Sequence, residues 1–309
     1  MRRNISKYSN VRGSGDRGPR EFKSIKPKRV GSLMHIATKD VITTHPENSI
    51  KNVSKLMEEH DFRRIPVTDA GTSRLEGLVV AMDILDFLGG GKKYNIIVKD
   101  YQSNFLSAIN CPIRKIMREP SYLTMDSDIH GAVEIMVTKK TSAIPVVDND
   151  DSMKVIAIVT ESDVLPEAVK IGVEVKDAMQ ENPITSTLGM MVSDVSKVMV
   201  RNQIRRLPVI REDKLIGVVT QFDILRFLGK GNFKSTDVET NLSTRVDEIM
   251  EKKVVSVAPR QDLSEVIKLM KKTGLGGFPV VEKGRLVGII TSTDVIREAY
   301  EAGRLAEAK

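Results

Sequence analysis

Cysteine is almost absent from this 309-residue chain: Cys111 is the only one. A single thiol excludes an internal disulfide and any cysteine-cluster zinc site, and it suits a reducing cytoplasm. No apolar run approaches the ~18 residues of a membrane span, and the polar, basic start lacks the apolar stretch of a secretory signal. The four histidines (His35, His45, His60, His130) show no metal-ligand spacing, so no metal is expected. No nucleophile, base and orienting group recur at a spacing that would assemble a catalytic centre. The stretch GGGKKYN (89–95) lacks the glycine spacing and the Ser or Thr after Lys of a phosphate-binding loop. It reads instead as a flexible, basic loop between units. The expectation is a protein that is not an enzyme.

What the chain does have is a repeat. Four times a proline follows a methionine by nine positions: Met57/Pro66, Met136/Pro145, Met199/Pro208 and Met270/Pro279. Each proline closes a short apolar segment (RRIPV, SAIPVV, RRLPVI, GGFPVV). A second segment follows and runs into Asp83, Asp163, Asp223 or Asp294. A fixed spacing used four times means one supersecondary unit of roughly sixty residues used four times. Each unit reads as a short strand (VITT, YLTM, PITS, VVSV), a helix with apolar residues at i, i+3 and i+4, two strands, and a closing helix at or near the aspartate. Gly77, Gly217 and Gly288 fit a turn or a close backbone approach. The recurrent methionines read as core and the prolines as strand-edge or turn residues.

A coarser repeat lies above this one. Asp83 and Asp223 are 140 residues apart, and Pro66 and Pro208 are 142 apart. The body therefore divides into two similar halves, 33–171 and 172–309, joined internally by segments 89–111 and 229–245. Each unit alone is too small to hide its apolar face, so pairing within a half is expected. The expected fold class is α+β, four β-α-β-β-α repeats paired into two modules. The boundaries are 33–90, 112–171, 172–230 and 246–305, preceded by an arm over 1–32.

The arm is distinct in charge. It holds Arg2, Arg3, Lys7, Arg12, Arg17, Arg20, Lys23, Lys26, Lys28 and Arg29 against Asp16 and Glu21, a net of +8; the whole chain is +7, so residues 33–309 carry about −1. With many Gly and Pro and few large aliphatics, the arm should be disordered in isolation. Ten cations on such a segment are the footprint of polyanion binding, and Tyr8 and Phe22 can stack on bases. Structured RNA is the expected partner. DNA ranks lower because no base-reading motif is present, and an anionic membrane ranks lower because the segment has no amphipathic apolar face.

The repeated residues resemble the cystathionine beta-synthase (CBS) domain family. That family's pattern is a leading Ile-Met or Ala-Met, the proline strand, and Gly-h-h-Thr-x-x-Asp before the last helix, where h is apolar. Here the leads are Ile116-Met117, Ala178-Met179 and Ile249-Met250, and the last motif appears as IAIVTESD, IGVVTQFD and VGIITSTD. Unit 1 departs twice, with Ile36-Ala37 in place of the lead and Val80 in place of the threonine. The resemblance covers about residues 33–305. It implies that two units form one module and that two modules assemble as a disc, as in the gamma subunit of AMP-activated protein kinase. It also implies a binding role, with AMP, ADP, ATP or S-adenosylmethionine as regulatory ligand and no required cofactor.

In such a site an ionised aspartate accepts hydrogen bonds from a ribose diol, and the threonine three residues earlier offers its hydroxyl. The helix N-terminus favours the phosphate, and apolar strand residues sandwich the adenine. Basic residues three and two before the proline contact phosphates in the kinase subunit's family. On this reading unit 3 carries the fullest set: Arg205, Arg206, Thr220 and Asp223. Unit 1 has Arg63, Arg64 and Asp83 without the threonine. Units 2 and 4 have Thr160/Asp163 and Thr291/Asp294 but no local arginines, so they either borrow arginines across a module or take less charged ligands. The structural alternative for each aspartate is a helix cap worth about 1 kcal/mol.

Arm and body together give the expectation of a non-enzymatic, adenine-nucleotide-responsive regulator that docks on RNA. Resemblance to archaeal CBS-repeat proteins extends it to ribosome association, with a ribosome-inactivating or hibernation role. The alternative is an energy-sensing subunit that controls a partner enzyme or kinase. Monomer and homodimer both fit the sequence.

Overall fold

The computed structural model describes residues 32–139, 141–165, 172–231, 233 and 235–301. The arm cations named above lie outside the described residues. Four units follow in order, each with a long helix, a proline strand, a return strand and a closing helix. In unit 1 these are Ile50–Glu59, Arg64–Thr68, Leu75–Val80 and Ala81–Leu85. Unit 2 has Ile129–Thr138, Ala143–Val147, Val155–Thr160 and Glu161–Val164. Unit 3 has Val192–Asn202, Arg206–Arg211, Lys214–Thr220 and Gln221–Lys230. Unit 4 has Leu263–Thr273, Gly277–Glu282, Arg285–Thr291 and Ser292–Glu301.

The long helices form where the pattern requires. Ser49, Asp128 and Asp262 cap three of them by accepting from Asn52, Gly131 and Ser264 N–H groups. The spaced methionines Met57, Met136, Met199 and Met270 are all buried on the inward stripe. Every proline strand pairs antiparallel with its return strand, Pro66 opposite Leu78 and Pro208 opposite Val218, for example. The expected opening strands are much shorter. Unit 2 keeps two residues, Leu123–Thr124, in parallel pairing. Units 1, 3 and 4 keep one bridge each: Thr44 to Val67, Ser186 to Val209 and Val257 to Val280. In these the bridge residue donates to the proline carbonyl and accepts from the N–H two residues on. All four hairpins carry a register shift near this point.

Pairing within a half is made by strand edges. Leu78 bridges Arg118 and Thr38 bridges Ile158 between units 1 and 2. Val218 bridges Glu251, and Ile289 pairs Gln180, between units 3 and 4. The apolar cores run the other way. One core combines Ile50, Val53, Met57 and Phe87 of unit 1 with Val195, Met199, Ile224 and Leu228 of unit 3. The other combines Val133, Met136 and Val164 of unit 2 with Val266, Met270, Phe278 and Val295 of unit 4. The leads are exchanged within each half, since Ile113 and Ile116 of unit 2 enter the first core while Leu33 and Ala37 of unit 1 enter the second.

Glycines mark these exchanges. A Cβ on Gly77 would stand 2.8 Å from Met117 Sδ, one on Gly217 2.7 Å from Met250 Sδ, and one on Gly288 2.5 Å from Met179 Sδ. Each lead methionine thus lies across the return strand of its partner unit. The stretch GGGKKYN is not the flexible loop expected from its composition. A Cβ on Gly90 would meet Val200 Cγ2 at 2.5 Å, so the glycine lets the long helix of unit 3 close on unit 1. Lys93 is tied by its backbone N–H to Asp86 and by its ammonium to Asp83.

Candidate ligand sites

The Thr-x-x-Asp motifs share one geometry. The threonine is the N-cap and the aspartate is the third helical residue, reaching back. Asp163 Oδ2 accepts from Thr160 N at 2.7 Å and from its hydroxyl at 2.8 Å. Asp223 Oδ2 does the same with Thr220, and Asp294 Oδ2 with Thr291. This is a capping box closed from the helix side. The second oxygens differ. Asp223 and Asp294 Oδ1 each receive an arginine three residues on, Arg226 or Arg297, at 3.2 Å. Asp163 Oδ1 has no partner among the described residues. Burial raises the carboxyl pKa of both Asp163 and Asp223, against the pull of the Thr160 and Thr220 hydrogen bonds.

Unit 1 solves the same problem without threonine. Asp83 is buried, and its Oδ2 accepts from Val80 N at 3.1 Å. Lys93 Nζ reaches Oδ1 at 2.6 Å, and Arg118 grips both oxygens through Nε and Nη2. The acceptors that a ribose diol would use in this unit are already engaged by cations.

At the centre of the molecule the residue that opens each closing helix donates its N–H to the residue three before the proline. The four bonds run from Ala81 to Arg63, Glu161 to Ser142, Gln221 to Arg205 and Ser292 to Gly276, at 2.9–3.1 Å. This brings Arg63, Arg64, Arg205 and Arg206 together. Arg206 donates through Nη1 to the Gly277 carbonyl. A Cβ on Gly276 would come within 2.9 Å of Arg63 Nη1, and one on Gly277 within 2.8 Å of Arg206 Nη1. The glycine pair of unit 4 therefore forms the receptacle for guanidinium groups from units 1 and 3. Burial, then the adjacent charge of Arg205, pushes Arg64 down to about 9. Burial, then Arg63 and Arg205, pushes Arg206 down to about 9. Arg64 Nε and Arg205 Nη1 are buried donors with no acceptor among the described residues.

Two cavities open beside this cluster. The first, about 520 Å³, is lined by Val41 and Ile42 from the opening of unit 1, Arg63 and Arg64, Thr160 and Glu161 of unit 2, and Gly276 and Ser292 of unit 4. The second, about 700 Å³, has Pro183 and Ile184 from the opening of unit 3, Arg205 and Arg206, and Thr291 and Asp294 of unit 4. It extends to Arg64 and Val80 of unit 1 and to Arg118 and Lys139 of unit 2. Each cavity joins the opening segment and arginines of an odd unit to the even unit of the same half, through Thr160 in the first and through Thr291 and Asp294 in the second. The set read from unit 3 is consequently divided: Arg205 and Arg206 face the second cavity, while Thr220 and Asp223 line neither. The cause is reach, because a guanidinium leaving the strand start extends into the space that unit 4 vacates with two glycines. Asp163 stands behind Thr160, outside the first cavity's lining residues. Lys93, Arg118, Lys139 and Glu161 were missed in the sequence. Only the missing threonine at Val80 signalled that unit 1 needed another partner for its aspartate.

Among the described residues no group of three or more His, Cys, Asp or Glu is arranged for a metal, and no helix is long and apolar enough to cross a membrane.

The fold is shared with known proteins. The chain is 34% identical over 276 residues to the uncharacterized protein MJ1225 of Methanocaldococcus jannaschii, spanning 86% of this chain and 98% of that one. The MJ1225 crystal structure, described as a candidate archaeal homologue of the AMP-activated kinase gamma subunit, superimposes with a TM-score of 0.79. A 33.4 kDa protein encoded in the ribosomal RNA operon of Thermofilum pendens is 28% identical over 254 residues, 80% of this chain and 84% of that one. A conserved protein of Pyrococcus horikoshii, 20% identical, shares the fold over 85% of this chain and 96% of its own with a TM-score of 0.52. The CBS domain model matches residues 30–90, 113–170, 175–230 and 246–301. The chain belongs to the CBS domain family and carries four copies of the domain.

Proposed function

We propose that this protein is a non-enzymatic, cytoplasmic regulator that binds adenine nucleotides in the two central cavities and docks on RNA through its N-terminal arm. One observation carries the nucleotide reading. Buried guanidinium donors without acceptors among the described residues stand beside cavities also lined by Thr160, or by Thr291 and Asp294. Ribose would be held by the Thr-x-x-Asp of unit 2 or 4 and phosphates by the arginines of units 1 and 3. Adenine would lie on the apolar opening segments, Ile42 or Pro183 and Ile184. The candidate ligands are AMP, ADP, ATP and S-adenosylmethionine, and the cationic centre favours the phosphorylated ones. Titration calorimetry tests this. Arg206→Ala should weaken ADP or ATP by about 1.5–3 kcal/mol, and unchanged affinities would remove the second cavity as the site.

The +8 arm supports RNA docking. The Thermofilum relative, named for its place in a ribosomal RNA operon, supports the ribosome as the RNA in question, with inactivation or hibernation as the role. Sedimentation of extracts from starved cells at low salt tests it, and a protein confined to light fractions would end the ribosome reading. A second reading, an energy-sensing subunit that controls a partner enzyme or kinase, is favoured by the likeness to MJ1225. Salt separates the two, since RNA docking weakens steeply with ionic strength and an apolar protein interface does not.

A further inference from the structure

Glu161 is a buried carboxylate set among the four central arginines, where Asp61 bears on Arg63 alone and Asp294 on Arg206 alone. It is 6% exposed. Its Oε2 accepts from Ser292 Oγ at 2.6 Å, and its Oε1 from Thr293 Oγ1 at 3.0 Å and Arg205 Nη2 at 3.3 Å. Its charge also bears on Arg63, Arg64 and Arg206. Burial acts to raise its pKa, but the charges of Arg205 and Arg64 and the Ser292 hydrogen bond outweigh that and hold it below the ordinary value, so it is ionised. The matching positions of the other units are Ala81, Gln221 and Ser292, all uncharged. The motif does not need a carboxylate here, because three units close the same helix without one.

We infer that Glu161 is a resident counter-anion that sets how many phosphate charges the arginine centre accepts. With no ligand, it neutralises one of four guanidinium groups and holds Arg205 in place. When a phosphate enters, it competes with Glu161 for Arg205 and meets a centre whose positive charge is lower by one. The centre is thereby tuned against the most highly charged ligands. The inference rests on the nucleotide reading only for the ligand's identity, because the anion chemistry is the same for a phosphate without a nucleoside.

The test uses the full chain and inorganic tripolyphosphate, followed by thermal unfolding, with monophosphate in parallel. Glu161→Gln keeps the size and the acceptor for Ser292 while removing the charge. It should be stabilised at roughly tenfold lower tripolyphosphate concentration than the wild type, with a much smaller change for monophosphate. Equal tripolyphosphate dependence in the two proteins would overturn the inference. Ser292→Ala supplies a second test should the glutamine variant not fold. Losing the hydroxyl leaves the carboxylate leaning on the arginines, so tripolyphosphate should act about threefold more weakly, and an unchanged response would count equally against the idea. A tripolyphosphate effect without any AMP, ADP or ATP binding would remove the nucleotide reading and leave the role of Glu161 standing.

Discussion

Ala37 and Ala157 hold the two places that methionine and glycine hold at the other three junctions between paired units. Thr38 bridges Ile158 just as Arg118 bridges Leu78 and Glu251 bridges Val218. Where the lead side chain shrinks from methionine to alanine, the facing glycine gains a methyl group. The added methyl group takes up part of the space that the shorter lead gives up.

This complementarity predicts an epistatic pair. Gly288→Ala would push a methyl group into Met179 Sδ and within 3.0 Å of the Gln180 carbonyl. It should cost about 1–3 kcal/mol in denaturant unfolding. Adding Met179→Ala should recover part of that loss, with a coupling energy of about 1 kcal/mol in a double-mutant cycle. Strict additivity would show that the two side chains do not share space.

Asp83 should matter for stability and not for ligand. Asp83→Asn strands Lys93 and Arg118, which are 25% and 50% exposed and rehydrate in part, so a loss near 2–3 kcal/mol is expected. Calorimetric nucleotide stoichiometry should be unchanged. A lost binding event would place a ribose at unit 1 after all.

Asp163 should trade stability against binding. Burial raises its pKa. A carboxyl raised in the folded state contributes stability below its unfolded value and loses it as pH rises through the folded value. Between about pH 4 and pH 7, Asp163→Asn should therefore gain melting temperature relative to the wild type while its ADP affinity falls. A variant that loses melting temperature and keeps its ADP affinity would make Asp163 a cap and nothing more.

Removing residues 1–32 should abolish RNA binding and spare nucleotide binding. In anisotropy titrations with a ribosomal RNA fragment, the full chain should show a log–log salt slope of about −0.7 for each single-stranded phosphate contacted. Equal RNA affinity after the deletion would transfer the interaction to the body.

Much of this architecture is local and was legible in the sequence. The Met-to-Pro interval, the inward stripes and the Thr-x-x-Asp boxes are all set within one unit, and the structure reproduces them. What escaped depends on partners far apart in the chain. Gly276 and Gly277 read as an absence of arginine, yet they are the space that Arg63 and Arg206 fill. GGGKKYN reads as a loop by composition, yet Lys93 and Gly90 are fixed by Asp83 and Val200. The opening segments read as short strands, but they pair for only one or two residues. Propensity does not report such a tertiary limit.

Both cores join units drawn from opposite halves, so neither half owns a complete interior. Two identical halves meeting this way would be a symmetric dimer, and every residue on the axis would face its own copy. A glutamate there would confront a glutamate. Fusion into one polypeptide lifts that restriction: Glu161 of one half faces Ser292 of the other, and Arg63 of the first half fills a gap left by Gly276 of the second, where unit 2 has Ser142. Covalent continuity lets a twofold scaffold keep an asymmetric, unevenly charged heart.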